Sequence, residues 1–100
     1  MVSAAKLVLR SRFVYADGAI REMVLWKLPR PTLEPPHGFK YQLHYNSADG
    51  RVVVRCDNET GKGDHRHLSG REDRYHFRSV EVPVEDFLRD IDQEREARNP

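Results

Sequence analysis

Two histidines, two aspartates, a lysine and an arginine crowd into one short run, Cys56-Asp57-Asn58-Glu59-Thr60-Gly61-Lys62-Gly63-Asp64-His65-Arg66-His67. Groups of these types suit metal-independent cleavage of RNA. RNA carries its own nucleophile, the 2′-OH. An enzyme need only take that proton, protonate the leaving 5′ oxygen and stabilise the charged phosphorane. Histidine suits both proton transfers because it titrates near neutral pH. Lys62, Arg66, Arg55 or Arg71 would hold the phosphate. On a strand, His65 and His67 would point to the same side with Cα atoms roughly 6.5–7 Å apart. In-line displacement needs base and acid on opposite sides of the phosphorus. One member of the pair therefore binds or orients, and the opposing group comes from elsewhere, with Asp57, His44 and Tyr45 as candidates. A carboxylate such as Asp57, bonded to an imidazole, would raise its basicity and fix its tautomer.

The same residues admit two other readings. His-x-His is a common metal pair, and Asp57, Asp64 or Cys56 would supply a third ligand for a metal-dependent hydrolase, although the spacing matches no complete zinc pattern. Alternatively the stretch does no chemistry and belongs to a non-catalytic RNA- or protein-binding module. Salt dependence would not separate the readings, since each can bind RNA through phosphates; turnover would. The RNA-cleaving reading requires no cofactor.

The elements that must position these residues follow from patterning. Ala5 to Tyr15 alternates, with Leu7, Leu9, Phe13 and Tyr15 on one parity, which predicts a strand with one core face. Asp17-Gly18 reads as a two-residue hairpin turn. Ala19 to Leu28 returns with apolar residues on both faces, and Trp26 and the tyrosines read mainly as core. Pro29 to Gly38 is a loop, since its four prolines cannot donate to a ladder. Phe39 to Asn46 and Arg51 to Cys56 form a second hairpin around Ser47-Ala48-Asp49-Gly50. Asp57 to Arg74 is polar and reads as a long loop, with a short strand around His65 to Leu68 as an option. Tyr75 to Val82 reads as a final strand. Pro83 then opens a helix whose buried face is Val84, Phe87, Leu88 and Ile91. The predicted fold is α+β: an antiparallel sheet of four or five strands, made of two hairpins and a final strand, with one C-terminal helix packed on it. Residues 1–91 form a single domain, and 92–100 a charged tail expected to fray.

The chain has 100 residues, 38% hydrophobic and 33% charged, which fits one small domain with a thin core. Such a domain gains from self-association, so a homodimer is one expectation. Residues 1–80 hold 14 Lys and Arg against 9 Asp and Glu, whereas residues 81–100 hold 3 against 7. A basic body with an acidic tail fits a nucleic-acid surface plus a segment kept away from it. No apolar run is long enough to cross a membrane, the N-terminus does not read as a signal peptide, and a single cysteine fits a reducing compartment. The expected location is the cytoplasm.

The order of these features resembles the TumE-like toxins of prokaryotic toxin–antitoxin modules. The residues carrying the resemblance are Trp26-Lys27-Leu28, Phe39 through Tyr45, Arg55-Cys56-Asp57-Asn58, Gly61 through His67, and Val84-Glu85-Asp86-Phe87. Asp57-Asn58 followed closely by His-x-His is the most specific part. Two features depart from the family pattern: Cys56 stands where an aromatic residue is usual, and the insert before His-x-His is short. The resemblance implies a small toxin whose action is attributed to RNA cleavage and which a cognate antitoxin neutralises. It makes Asp57, Asn58, His65 and His67 the functional positions, with Arg55 and Lys62 as basic helpers.

Overall fold

The computed structural model describes residues 5–29, 37–59 and 63–98. Six strands pair in sequence order, each antiparallel to the next: β1 (Lys6–Val14), β2 (Ile20–Lys27), β3 (Phe39–Asn46), β4 (Val52–Glu59), β5 (Gly63–Leu68) and β6 (Arg71–Arg74). One helix, α1 (Glu81–Arg98), follows and packs over β3 and β4. The α+β class and the single C-terminal helix are as the patterning predicts. The sheet has six strands rather than four or five.

The difference lies in the polar stretch after Cys56. β4 runs on to Glu59 and pairs with β5, and β5 pairs with β6 through Leu68↔Arg71. Only Ser69 and Gly70 lie between those partners, and both have positive φ (47° and 87°). Positive φ at both central residues is the type I′ geometry that matches strand twist, and glycine adopts it without steric cost. β6 is Arg-Glu-Asp-Arg, exposed throughout, so no hydrophobic alternation announces it. No strand covers Tyr75 to Val82. Residues 75–80 cross to the helix without regular structure and bring Tyr75 and Phe77 against the core, while Glu81 and Val82 already belong to α1.

The first turn also differs in detail. The Tyr15 N–H donates to the Ala19 carbonyl and the Gly18 N–H to the Tyr15 carbonyl, so the loop has three residues, with Gly18 at φ 90°. A type I turn closed by a left-handed residue is the common three-residue solution.

The core lies between the sheet and α1. Leu25 of β2, Tyr41, Leu43 and Tyr45 of β3, and Val54 and Cys56 of β4 meet Phe87 and Ile91 of α1. Val84 and Leu88 pack against this cluster, so the predicted helix face is correct. α1 begins at Glu81, two residues before Pro83, which sits buried in the first turn, where its missing N–H breaks no bond. The helix continues beyond Ile91 to Arg98, through residues whose lack of apolar spacing predicts fraying. Polar contacts replace the apolar ones there. Arg95 lies 3.9 Å over the Tyr15 ring, donates to the Tyr45 hydroxyl at 2.7 Å and pairs with Asp17 at 3.2 Å. Glu94 accepts a hydrogen bond from Ser69.

Beyond the reach of α1, β1 is mostly exposed. A bulge between Leu7 and Leu9 breaks its alternation. Leu9 and Tyr15 reach the core, but Leu7 and Phe13, also expected there, are exposed, as are Val8 and Val14. Among the described residues no helix is long and apolar enough to cross a membrane.

Candidate functional site

Directly paired residues in an antiparallel sheet project to the same face, and successive residues alternate. The register therefore sorts the candidate residues. Met23, Leu43, Cys56 and Arg66 form one row, and Leu43 belongs to the core. That row faces α1. The neighbouring row is Glu22, His44, Arg55, His67 and Glu72. It faces away from the helix, as does the row Val24, Gln42, Asp57, His65 and Arg74. The face without the helix thus gathers three histidines, Asp57 and Arg55.

Distances link these groups. The Arg55 guanidinium meets the Asp57 carboxylate at 3.1 Å, and Asp57 is only 14% exposed. His65 Nδ1 lies 3.5 Å from a Glu72 carboxylate oxygen. His67 Nε2 accepts the Gly70 N–H at 3.3 Å. Lys40, Gln42, His44, Arg55, Asp57 and Asn58 line a shallow concavity of about 150 Å³. Burial, then the neighbouring Arg55 charge, lowers the pKa of His44, with partial opposition from Asp57 and Glu22. Its imidazole is therefore held neutral more firmly than that of a free histidine.

Asp57 is closer in role to Arg55 than to a histidine: the carboxylate that the sequence assigns to orienting an imidazole is bonded to the guanidinium instead. His65 is its direct cross-strand neighbour on β5.

Three other expected site residues do not turn their side chains to this face. Arg66 points to the helix side, where it forms two hydrogen bonds to the Asp90 carboxylate at 2.8 and 2.5 Å. Asp90 is buried, and this pair fixes α1 to β5. Asn58 is buried too: its side chain accepts the Tyr41 N–H at 2.9 Å and donates to the Phe39 carbonyl at 2.6 Å, tying β4 to the start of β3. Tyr45 is 3% exposed and lies in the core with its hydroxyl on Arg95. Lys62 lies outside the described residues. Arg71 sits at the β5–β6 turn and pairs with Asp73.

The third-ligand candidates for a metal divide in the same way. Cys56 and Asp64 lie on the helix side, away from His65 and His67. Among the described residues no group of three or more His, Cys, Asp or Glu is arranged to hold a metal ion. Burial pushes the Cys56 thiol up to about 12, so it behaves as the small buried hydrophobe its strand position predicts.

Asp64 serves a network that patterning gave little sign of. Its carboxylate accepts from the Tyr41 hydroxyl at 2.5 Å and from His37 Nε2 at 3.1 Å. Nδ1 of the same ring accepts the Phe39 N–H at 3.1 Å, which makes Nε2 the protonated nitrogen. The ring stacks on Phe77 at 3.7 Å. His37, read from sequence as a loop residue, thus clamps the entry to β3 onto β5. Burial and these carboxylate contacts raise the Tyr41 pKa.

A family model described as toxin TumE matches residues 3–95 of the chain. No curated protein and no solved structure gives a significant match.

Proposed function

Because the chain belongs to the TumE toxin family, we propose that it is the toxin of a toxin–antitoxin module and acts as a metal-independent endoribonuclease through its helix-free sheet face. The observation that carries this reading is the row His44, Arg55, His67 across β3, β4 and β5. Adjacent strands lie about 4.8 Å apart, so the two histidines stand roughly 10 Å from each other with the guanidinium between them. A phosphate held by Arg55 would have an imidazole on either side. In-line displacement needs that arrangement, and His65 and His67 on one strand do not supply it.

His44, held neutral by burial and by Arg55, takes the 2′-OH proton as general base. His67, once Nε2 exchanges the Gly70 N–H for a proton, donates that proton to the leaving 5′ oxygen. Arg55 stabilises the phosphorane, with Asp57 fixing its orientation. His65 lies one row away beside Asp57 and Arg74 and serves to bind the flanking backbone. Lys40, which spends one N–H on the Asn58 carbonyl at 3.1 Å, keeps two for a phosphate.

A cognate antitoxin would neutralise the chain. The exposed Leu7, Val8, Phe13 and Val14 of β1 offer an apolar edge that such a partner, or a second copy in a homodimer, would cover. The test of the toxin reading is induced expression in bacteria with cellular RNA followed over time. Fragmentation should precede growth arrest for the wild type and be absent for His67→Ala. Arrest with intact RNA would count against the nuclease.

A further inference from the structure

The only tryptophan of the chain, Trp26, is not in the core. In the register it stands opposite Leu7 on β1 and Lys40 on β3, on the same helix-free face as the histidine row. It is half-buried, and among the described residues no ring stacks on it and no hydrogen bond occupies its indole N–H. A large aromatic left in this position exposes apolar area that a core site would have removed from water.

Its surroundings are basic. Lys40 is its direct partner, and Arg10 pairs with Val24 one row along. An aromatic platform set among cations at a sheet surface fits a nucleobase whose phosphates lie alongside. We infer that Trp26 is a stacking site for one unpaired base of the RNA, which makes the substrate single-stranded at this position. The inference rests on the nuclease reading above and adds the class of RNA and the residue that selects it.

Geometry places the stacked base outside the chemistry. Lys40 and His44 are four residues apart on β3, so Trp26 lies roughly 13 Å along the sheet from the row that flanks Arg55. The base on Trp26 thus belongs to a neighbour of the nucleotide being cleaved. A base within a duplex has both faces covered by its own stack and cannot reach the indole. Stacking tolerates any base, so Trp26 selects for strandedness rather than sequence.

One tryptophan makes the test direct. The probe is a fluorescein-labelled 2′-O-methyl oligoribonucleotide of mixed sequence, which lacks the nucleophile and stays intact, offered single-stranded and as its duplex. Binding is followed by anisotropy and, with an unlabelled copy, by Trp26 emission. The inference expects saturable quenching by the single strand at the same concentrations that raise the anisotropy, and little by the duplex. Trp26→Ala should bind about ten-fold more weakly, with Trp26→Phe recovering part of the loss. With cleavable RNA, Trp26→Ala should raise KM and leave kcat near wild type. Binding without quenching, equal binding by Trp26→Ala, or equal quenching by the duplex would overturn the stacking site and leave the nuclease reading standing. No binding of either probe would overturn both.

Discussion

His44 and His67 lie in one row of the helix-free face, on opposite sides of Arg55, although they stand 23 positions apart in the chain. The proposed cleavage rests on this relationship, in which a phosphate held by Arg55 would have an imidazole on either side. Sequence spacing alone draws attention to His65 and His67, which share a strand and a side.

Arg66 and His67 are neighbours on opposite faces of the sheet. Arg66→Ala would leave the buried Asp90 carboxylate without its partner, and breaking a buried pair costs about 3 kcal/mol or more. Urea unfolding should show that loss, while RNA cleavage per folded molecule stays near wild type. A fully stable variant that no longer cleaves would return Arg66 to the site.

Asn58→Ala should likewise act on stability. It removes the acceptor for the buried Tyr41 N–H and the donor to the Phe39 carbonyl. Each buried group left unpaired costs on the order of 1–3 kcal/mol. The midpoint of urea unfolding should fall, with KM unchanged in the surviving folded fraction.

The depressed pKa of His44 has a sign that can be measured. In the unfolded chain the imidazole binds its proton near pH 6.5, whereas in the fold it does so only at lower pH. Between those two values the unfolded state holds more protons. Stability contributed by neutral His44 is therefore present above about pH 6.5 and is lost as pH falls through the folded value. His44→Gln should flatten this part of the stability profile. An unchanged acid slope would show that His44 is not the group responsible.

Much of the fold was legible because apolar alternation and turn residues carry it. Leu43 and Tyr45 against His44, and Val84, Phe87, Leu88 and Ile91 in α1, announce their faces directly. The third hairpin was hidden because β6 has no apolar residue and β5 presents histidines on one face and Asp64 and Arg66 on the other. Position in the sheet, not composition, decides that Leu7 and Phe13 stay exposed. The candidate site was legible in residue type and not in side. Asp57, His65, His67, Arg55 and His44 share the open face, while Asn58, Arg66 and Tyr45 take structural partners from α1 or β3. That division depends on strand parity within a stretch that reads as a loop. Trp26 was misplaced for the same reason: apolar residues on both parities of β2 suggest two covered faces, and only one is covered.

Cleavage of RNA by the purified chain in excess chelator, beside His44→Ala and His67→Ala, tests the central claim most directly. The expected result is fragmentation by the wild type, loss of about 10²-fold or more in rate for each variant with the fold intact by circular dichroism, and no cleavage of a substrate whose 2′-hydroxyls are replaced by hydrogen. Wild-type rates in both variants, or cleavage of the 2′-deoxy substrate, would contradict it.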